Sequence, residues 1–256
     1  MTAARIGWAL LAAIAAFGIL GPLLAGDPLR QDLSATLQGP GAVHPLGTDQ
    51  FGRDMLARLT HATRLSLGFA AVAAVAAAVP GIALGLIAAW RGGIVERALV
   101  SLADAVMALP GLLLVVLFAA FAPGEFLPLY LGLSLALWVE YFRLTRGVAA
   151  SLLARPAVEA ARLFGFGPWH VLRHHLLPEL APMLVTLLAF SAAAAVTAIS
   201  ALAFVGIGLR PPTPEWGSMM TELLPYHAEA PLQVLLPGLL LALTVLGLQL
   251  VAGARR

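Results

Sequence analysis

His170 and His174 stand four residues apart, a spacing at which two imidazoles share one helix face and can hold a metal ion. No third ligand is evident beside them, and Arg173 adds positive charge between them, so they read as polar helix surface rather than a metal site. His44, His61 and His227 are scattered elsewhere and read as surface residues. The chain has no cysteine, which excludes disulfides, zinc-thiolate centres and thiol nucleophiles. It has no His-Glu-x-x-His and no Gly-x-Ser-x-Gly, so protease and lipase chemistry lack their parts. All fifteen basic residues are arginine, so no phosphate-binding loop ending in Lys-Ser/Thr exists and any ATP must bind elsewhere. No catalytic residue, metal ligand or cofactor is assigned to this chain, and it reads as a non-enzyme.

A different chemistry, that of partner binding, is suggested by the polar island Glu159-Ala160-Ala161-Arg162-Leu163-Phe164-Gly165, followed by Leu177-Pro178. Pro156 can open a helix at its first turn. Val158, Ala161 and Leu163 are its apolar contacts; Glu159 and Arg162 are its polar ones. Gly165 can end it in a left-handed turn. Pro168 can start a second helix with Trp169, Val171, Leu172, Leu176 and Leu177 as its apolar face, and Pro178 is expected to stop or kink that helix. The result is a helix, a tight turn and a second helix over about 155–178.

The elements that must hold this island are apolar. Of 256 residues, 61% are hydrophobic and 11% charged, and the mean hydropathy is +0.93. Soluble domains are nearer a quarter charged, so an integral membrane protein is the default. A bilayer core of about 30 Å needs roughly 20 apolar residues as helix. Six segments qualify, at about Ile6–Ala25, Ser66–Trp90, Ala98–Phe121, Phe126–Tyr141, Ala181–Ile207 and Leu232–Ala252. They lack the period-two alternation of barrel strands. The first is expected as a retained anchor, since it is longer than a signal-peptide core. Pro80 and Pro110 are expected to kink their helices. Gly81 and Gly85 form a small-x-x-x-small pair suited to close helix approach. The net charge of +2 arises from arginines beside apolar spans, not from a patch, so nucleic acid is not expected as a partner.

Arginine placement orients the chain. With the N-terminus inside, Arg5, Arg91, Arg97, Arg143, Arg146, Arg155, Arg162, Arg173, Arg255 and Arg256 are cytoplasmic, and Arg30, Arg53, Arg58, Arg64 and Arg210 are outside. This excess obeys the positive-inside bias and places the Glu159 island and both termini in the cytoplasm. No span carries a charge near its centre, which argues against a proton- or sodium-coupled carrier.

Residues 54–63 read as an amphipathic helix on the outer interface. Met55, Leu56, Leu59 and Ala62 lie on one side, with Asp54, Arg58 and His61 opposite. Asp54 and Arg58 have the spacing of an i,i+4 pair. Two readings stand: a gate or docking element, or a solvated surface helix.

The island resembles the cytoplasmic coupling loop of ABC-importer permeases: Glu-Ala-Ala, three residues, Gly, nine residues, an aliphatic residue, any residue, Leu-Pro. Further segments resemble the permeases of dipeptide, oligopeptide and nickel importers. These are His44-Pro45-Leu46-Gly47-Thr48-Asp49-Gln50-Phe51-Gly52-Arg53-Asp54 through Leu67, Trp90 to Arg97 with Asp104 and Pro110, and Tyr141 to Gly147. Phe204 to Gly208 and Pro211 to Met219 complete the likeness, which covers nearly all of 27–250. It is closest to the second permease of each pair, which has the shorter first external loop. His175 stands at the aliphatic position and Glu179 where Asn is common. The sequence ends at Arg255-Arg256, where many relatives continue into a polar tail.

The resemblance implies an all-α polytopic fold of about six spans, of the type I importer kind. It divides the chain into an anchor with an external amphipathic segment (1–62) and a permease domain (63–256). The implied partners are a second permease in a heterodimer, two ATPase subunits holding ATP and Mg, and an extracytoplasmic solute-binding protein, all at the bacterial inner membrane. Glu159, Ala160, Ala161, Gly165, Leu177 and Pro178 are implied as ATPase-coupling residues. Gly47, Asp49, Gly52, Arg53, Asp54, Glu215 and Trp216 are implied as an external gate or docking site for the binding protein. The family's cargo spans small peptides, nickel and metal chelates; Pro231-Leu232-Gln233 leans toward the nickel or metallophore type. A secondary carrier or channel, and a membrane-embedded scaffold, are the competing readings; co-purification with an ATPase separates them.

Overall fold

The computed structural model describes residues 2–253, so Arg255 and Arg256 lie outside the described residues. The described chain is helical, without strands; its one sheet-like backbone pairing is the Thr48–Asp54 bridge. The helices are α1 (Thr2–Leu24), α2 (Met55–Arg91), α3 (Gly93–Met107), α4 (Gly111–Phe121), α5 (Phe126–Leu153), α6 (Pro156–Leu163), α7 (Pro168–Val171), α8 (Leu177–Phe204), α9 (Trp216–Leu223) and α10 (Pro231–Gly253).

Four helical stretches are long and apolar enough to cross a membrane: Ala3–Leu24, Met55–Arg91, Pro168–Phe204 and Pro231–Gly253. A fifth candidate is the pair α3 and α4, which is bent by 77°. The bend occurs where Pro110 caps α4, so the expected third span at 98–121 is two helices rather than one kinked rod. The expected fourth span, 126–141, falls in α5, which runs 28 residues with Glu140, Arg143 and Arg146 in its second half and is not among the helices apolar enough to cross. By length and composition the described residues thus hold four spans, or five with the bent pair, where six were expected.

α2 is 37 residues, about 55 Å of helix, and exceeds the roughly 30 Å hydrocarbon core. It includes the segment expected as a separate interfacial helix over 54–63, and Pro80 lies inside it without ending it. Asp54 starts it by accepting the Ala57 N–H at 2.8 Å. The centre of the bundle is the α2–α5 contact. A Cβ built on Gly81 would lie 2.5 Å from the Trp138 carbonyl, and one on Gly85 2.8 Å from the Phe142 carbonyl. The expected small-x-x-x-small pair therefore lets two backbones touch. α1 and α8 flank α2, α10 packs on α1 and α8, and α9 is wedged between α8 and α10.

Ion pairs pin the polar end of α5 to its neighbours: Arg146 to Glu96 at 2.5 Å, Arg143 to Asp104 at 2.5 Å, and Arg155 beyond it to Glu179 at 3.2 Å. The last two are half-exposed and each is worth at most about 1 kcal/mol.

Candidate functional site

The Glu159 island folds as α6, with Arg155 as its N-cap residue and Pro156 at its first position. Its end is a complete Schellman closure. Phe166 N–H donates to the Ala161 carbonyl at 3.1 Å and Gly165 N–H to the Arg162 carbonyl at 3.0 Å, with Gly165 at φ 83°. A Cβ at Gly165 meets no atom, so glycine is required by the turn angle and not by crowding.

One face of α6 is anchored. Val158 packs into a cluster with Ala149, Leu152, Val171, Leu176 and Leu180. Ala161 is also buried, and the Arg162 guanidinium lies over the Trp90 ring at 4.5 Å. The other face is open. Glu159, Ala160 and Gly165 are exposed. Beside them Leu163 is 84% exposed, Phe164 82%, and Trp169 67%, with Phe166 half-exposed. Leu163 and Trp169, expected as packing residues, therefore belong to the outer face. Their apolar character was visible in the sequence, but periodicity alone could not tell an inward from an outward apolar face on an eight-residue helix.

Leu177 and Pro178 do not join α6. They open α8, and the connection into it is unbroken: α7, a π-helical turn at Leu172–Leu176 and α8 form one stretch from Pro168 to Phe204. Of the expected stop or kink at Pro178, the stop is absent, and a π-helical turn lies immediately before the proline. A proline removes the i→i−4 donor, and the wider π turn just before it absorbs that loss.

The His170 and His174 rings stack with centroids 4.2 Å apart, and Phe166 stacks on His170 at the same distance. His174 Nδ1 donates to the His170 carbonyl at 3.1 Å. The imidazole faces are thus turned on one another, forming the flank of the loop.

At the other end, residues 32–58 and α9 form a cap around a buried cluster of four charges. Asp49 Oδ2 accepts from Arg53 Nε at 2.6 Å and from Arg58 Nη1. Glu222 Oε2 accepts from Arg53 at 2.7 Å and Arg58 at 2.9 Å. Asp49, Arg53 and Arg58 are buried, while Glu222 is 12% exposed. Asp49 Oδ1 also accepts the backbone N–H of Phe51 and Arg53, and the Phe51 ring covers the Arg53 guanidinium at 4.8 Å. Charges removed from water require this degree of pairing.

The expected solvated pair Asp54–Arg58 does not form. Arg58 turns inward, and Asp54 instead takes the His44 Nδ1 at 2.7 Å, so His44 is a cap residue and not a free surface one. Gly47 and Gly52 occupy positive-φ turns against the backbone of Gln38 and Asp32. On the cap's surface, Asp32 is held below the usual carboxylate range by the Ser34 hydroxyl and amide.

Glu215 and Trp216 are also buried. Glu215 starts α9, accepting from Ser200 Oγ at 2.8 Å and from the Ser218 N–H at 3.0 Å. The side chains of Asp49, Arg53, Glu215 and Trp216 thus hold the cap together from within. Glu222 was missed by sequence reasoning, because its partners lie 164 and 169 residues away.

Residues 81–254 match the family described as binding-protein-dependent transport system inner membrane component. The di/tripeptide transport system permease protein DppC of Pseudomonas aeruginosa (strain UCBPP-PA14) is 36% identical over 220 residues, 86% of this chain and 73% of that protein. A protein described as a peptide transport system permease in Brucella suis biovar 1 is 33% identical over 254 residues, 98% of this chain and 85% of that protein. Among solved structures, the MetNI methionine ABC transporter in an inward-facing conformation has a chain of similar fold. Its TM-score is 0.56 at 19% identity, covering 75% of this chain and 93% of that one.

Proposed function

Because the chain belongs to the binding-protein-dependent transport system inner membrane components, a family of ABC-importer permeases, we propose that it is one of two permeases in an ATP-driven importer of small peptides. The observation that carries this reading is the exposed face of Glu159, Ala160, Leu163, Phe164 and Trp169 at the tip of a Schellman-closed helix. A soluble chain leaving so many large apolar side chains in water would aggregate; a chain that docks there has a use for them. The partner is one of two ATPase subunits, which hold ATP and Mg. A second permease completes the path, and a solute-binding protein docks outside.

In this mechanism the α6 tip sits in a groove of the ATPase. ATP binding closes the ATPase pair and moves the tip, and the continuous α7–α8 stretch carries that movement into the membrane. This is a two-state element biased by a partner's nucleotide. The positive-inside distribution of arginines supports a cytoplasmic tip, cytoplasmic termini and an external cap.

Small peptides are favoured over nickel or metal chelates for a physical reason as well as a likeness. Gln233, part of the segment that leaned toward nickel, is buried and donates to the Gln38 carbonyl at 2.9 Å. It serves the cap and is not free to meet a cargo. The proposed relation to peptide transport rests on the names of the two similar permeases.

Cysteine crosslinking tests the reading. Phe164→Cys should form a bond to a cysteine in the ATPase groove, with a yield that changes when ATP is added. Uptake that persists without an ATPase, with no crosslink, sinks it.

A further inference from the structure

A groove of about 300 Å³ lies between the end of α2 and the start of α7. Leu86, Ile87, Trp90, Pro168 and Leu172 make its walls, and Arg91 stands at its rim. The walls are apolar throughout except at that arginine.

Arg91 is exposed and, among the described residues, has no carboxylate within ion-pair reach. The same holds for Arg162, whose guanidinium lies on Trp90. In contrast Arg143, Arg146 and Arg155 each face an acidic partner. An apolar slot with one uncompensated guanidinium at its rim, and a second on the ring of a residue that lines it, is complementary to an amphiphile with an anionic head.

We propose that this groove binds an anionic phospholipid, with its phosphate at Arg91 and an acyl chain against Ile87, Leu172 and Trp90. Guanidinium matches a phosphodiester with two parallel hydrogen bonds. The apolar walls favour a hydrocarbon chain over water. Trp90 lies near the end of an apolar helix long enough to cross a bilayer, and indole rings are enriched at bilayer interfaces, so lipid is the ligand at hand. Basic pockets between helices at that level take anionic headgroups. The leaflet, the inner one, rests on the orientation proposed above; the ligand chemistry does not.

The test uses the assembled transporter in nanodiscs of phosphatidylcholine with a minor fraction of phosphatidylglycerol, followed by native mass spectrometry of retained lipid. Wild type should retain phosphatidylglycerol selectively. Arg91→Gln should lower that retention on the order of fivefold, the effect of one basic group at a membrane surface. Arg91→Lys, which keeps the charge but not the planar fork, should retain an intermediate amount, and Ile87→Trp, which fills the slot, should lose it. Three results overturn the proposal: equal retention of both lipids, retention unchanged in both Arg91→Gln and Ile87→Trp, or full displacement by glycerol 1-phosphate, which has no chain. The same preparation shows whether an ATPase co-purifies, so failure of the coupling assignment is read separately from failure of the lipid site.

Discussion

Arg58 donates to Glu222 at 2.9 Å, joining the first turn of α2 to the end of α9 across 164 residues. The contact ties the cap segment to the wedge between α8 and α10, beside the Gln233–Gln38 and Ser200–Glu215 hydrogen bonds that also join the cap to the last spans.

Asp49→Asn should therefore destabilise the subunit strongly. It removes the charge shared by Arg53 and Arg58 while leaving both buried. Breaking one side of a buried ion pair typically costs about 3–5 kcal/mol. Thermal unfolding in detergent should show a lower Tm for Asp49→Asn than for Glu222→Gln, since Glu222 is nearer solvent and its loss leaves both arginines on Asp49. Equal and small shifts for the two would mean that the cluster does not hold the cap.

Gly165→Val should uncouple ATP hydrolysis from uptake. A β-branched residue at φ 83° is strained by roughly 1–2 kcal/mol, and the Schellman closure of α6 opens to relieve it. Glu159→Arg should act on the same function by reversing a charge on the exposed face. Uptake and ATPase rates, measured in the same vesicles, provide the check; normal uptake with normal ATPase assembly in both variants would exclude the loop as the coupling element.

Phe164→Ser should leave folding stability within about 0.5 kcal/mol, because the ring is already in solvent. Its affinity for the ATPase should fall about tenfold or more, as for the loss of an aromatic anchor. Pull-down of the ATPase, compared with a thermal melt of the permease, separates the two effects. A melt that drops while the pull-down is unchanged would contradict the assignment.

Gly81→Ala should cost on the order of 1–3 kcal/mol, the usual penalty for overpacking. The added methyl would lie 2.5 Å from the Trp138 carbonyl and 2.6 Å from the Tyr141 Cβ, and both belong to a helix held by its own packing. Gly147→Ala on α5 meets no neighbour and should be harmless. A thermal melt of the pair is sufficient.

What the sequence revealed was local. The start of α6 at Pro156, its end at Gly165 and the close approach at Gly81 each follow from one or two residues and a short-range rule. What it concealed was pairing at a distance. Asp54, Arg58 and His61 spaced along one side of a helix read as a solvated face, yet Arg58 is buried because Asp49 and Glu222 arrive from elsewhere in the chain. Prolines show the same division. Pro110 breaks its helix and Pro80 does not; the adjacent Gly81 lets α5 press on α2 there, and that packing supports the weakened ladder.

With no break at Pro178, the stretch from Pro168 to Phe204 is a beam of 37 residues, roughly 55 Å long. Its far end is tied down as well: Thr221 Oγ1 donates to the Phe204 carbonyl at 3.0 Å, and Thr221 is the neighbour of Glu222. In the proposed coupling, a push on Trp169 would travel along this stretch and tilt it within the bilayer, so that Phe204 would swing the opposite way and draw α9 and the charged cap with it. The stroke at the outer mouth would be set by the ratio of the two arms, and stiffening or softening the π turn would change its amplitude without touching either end.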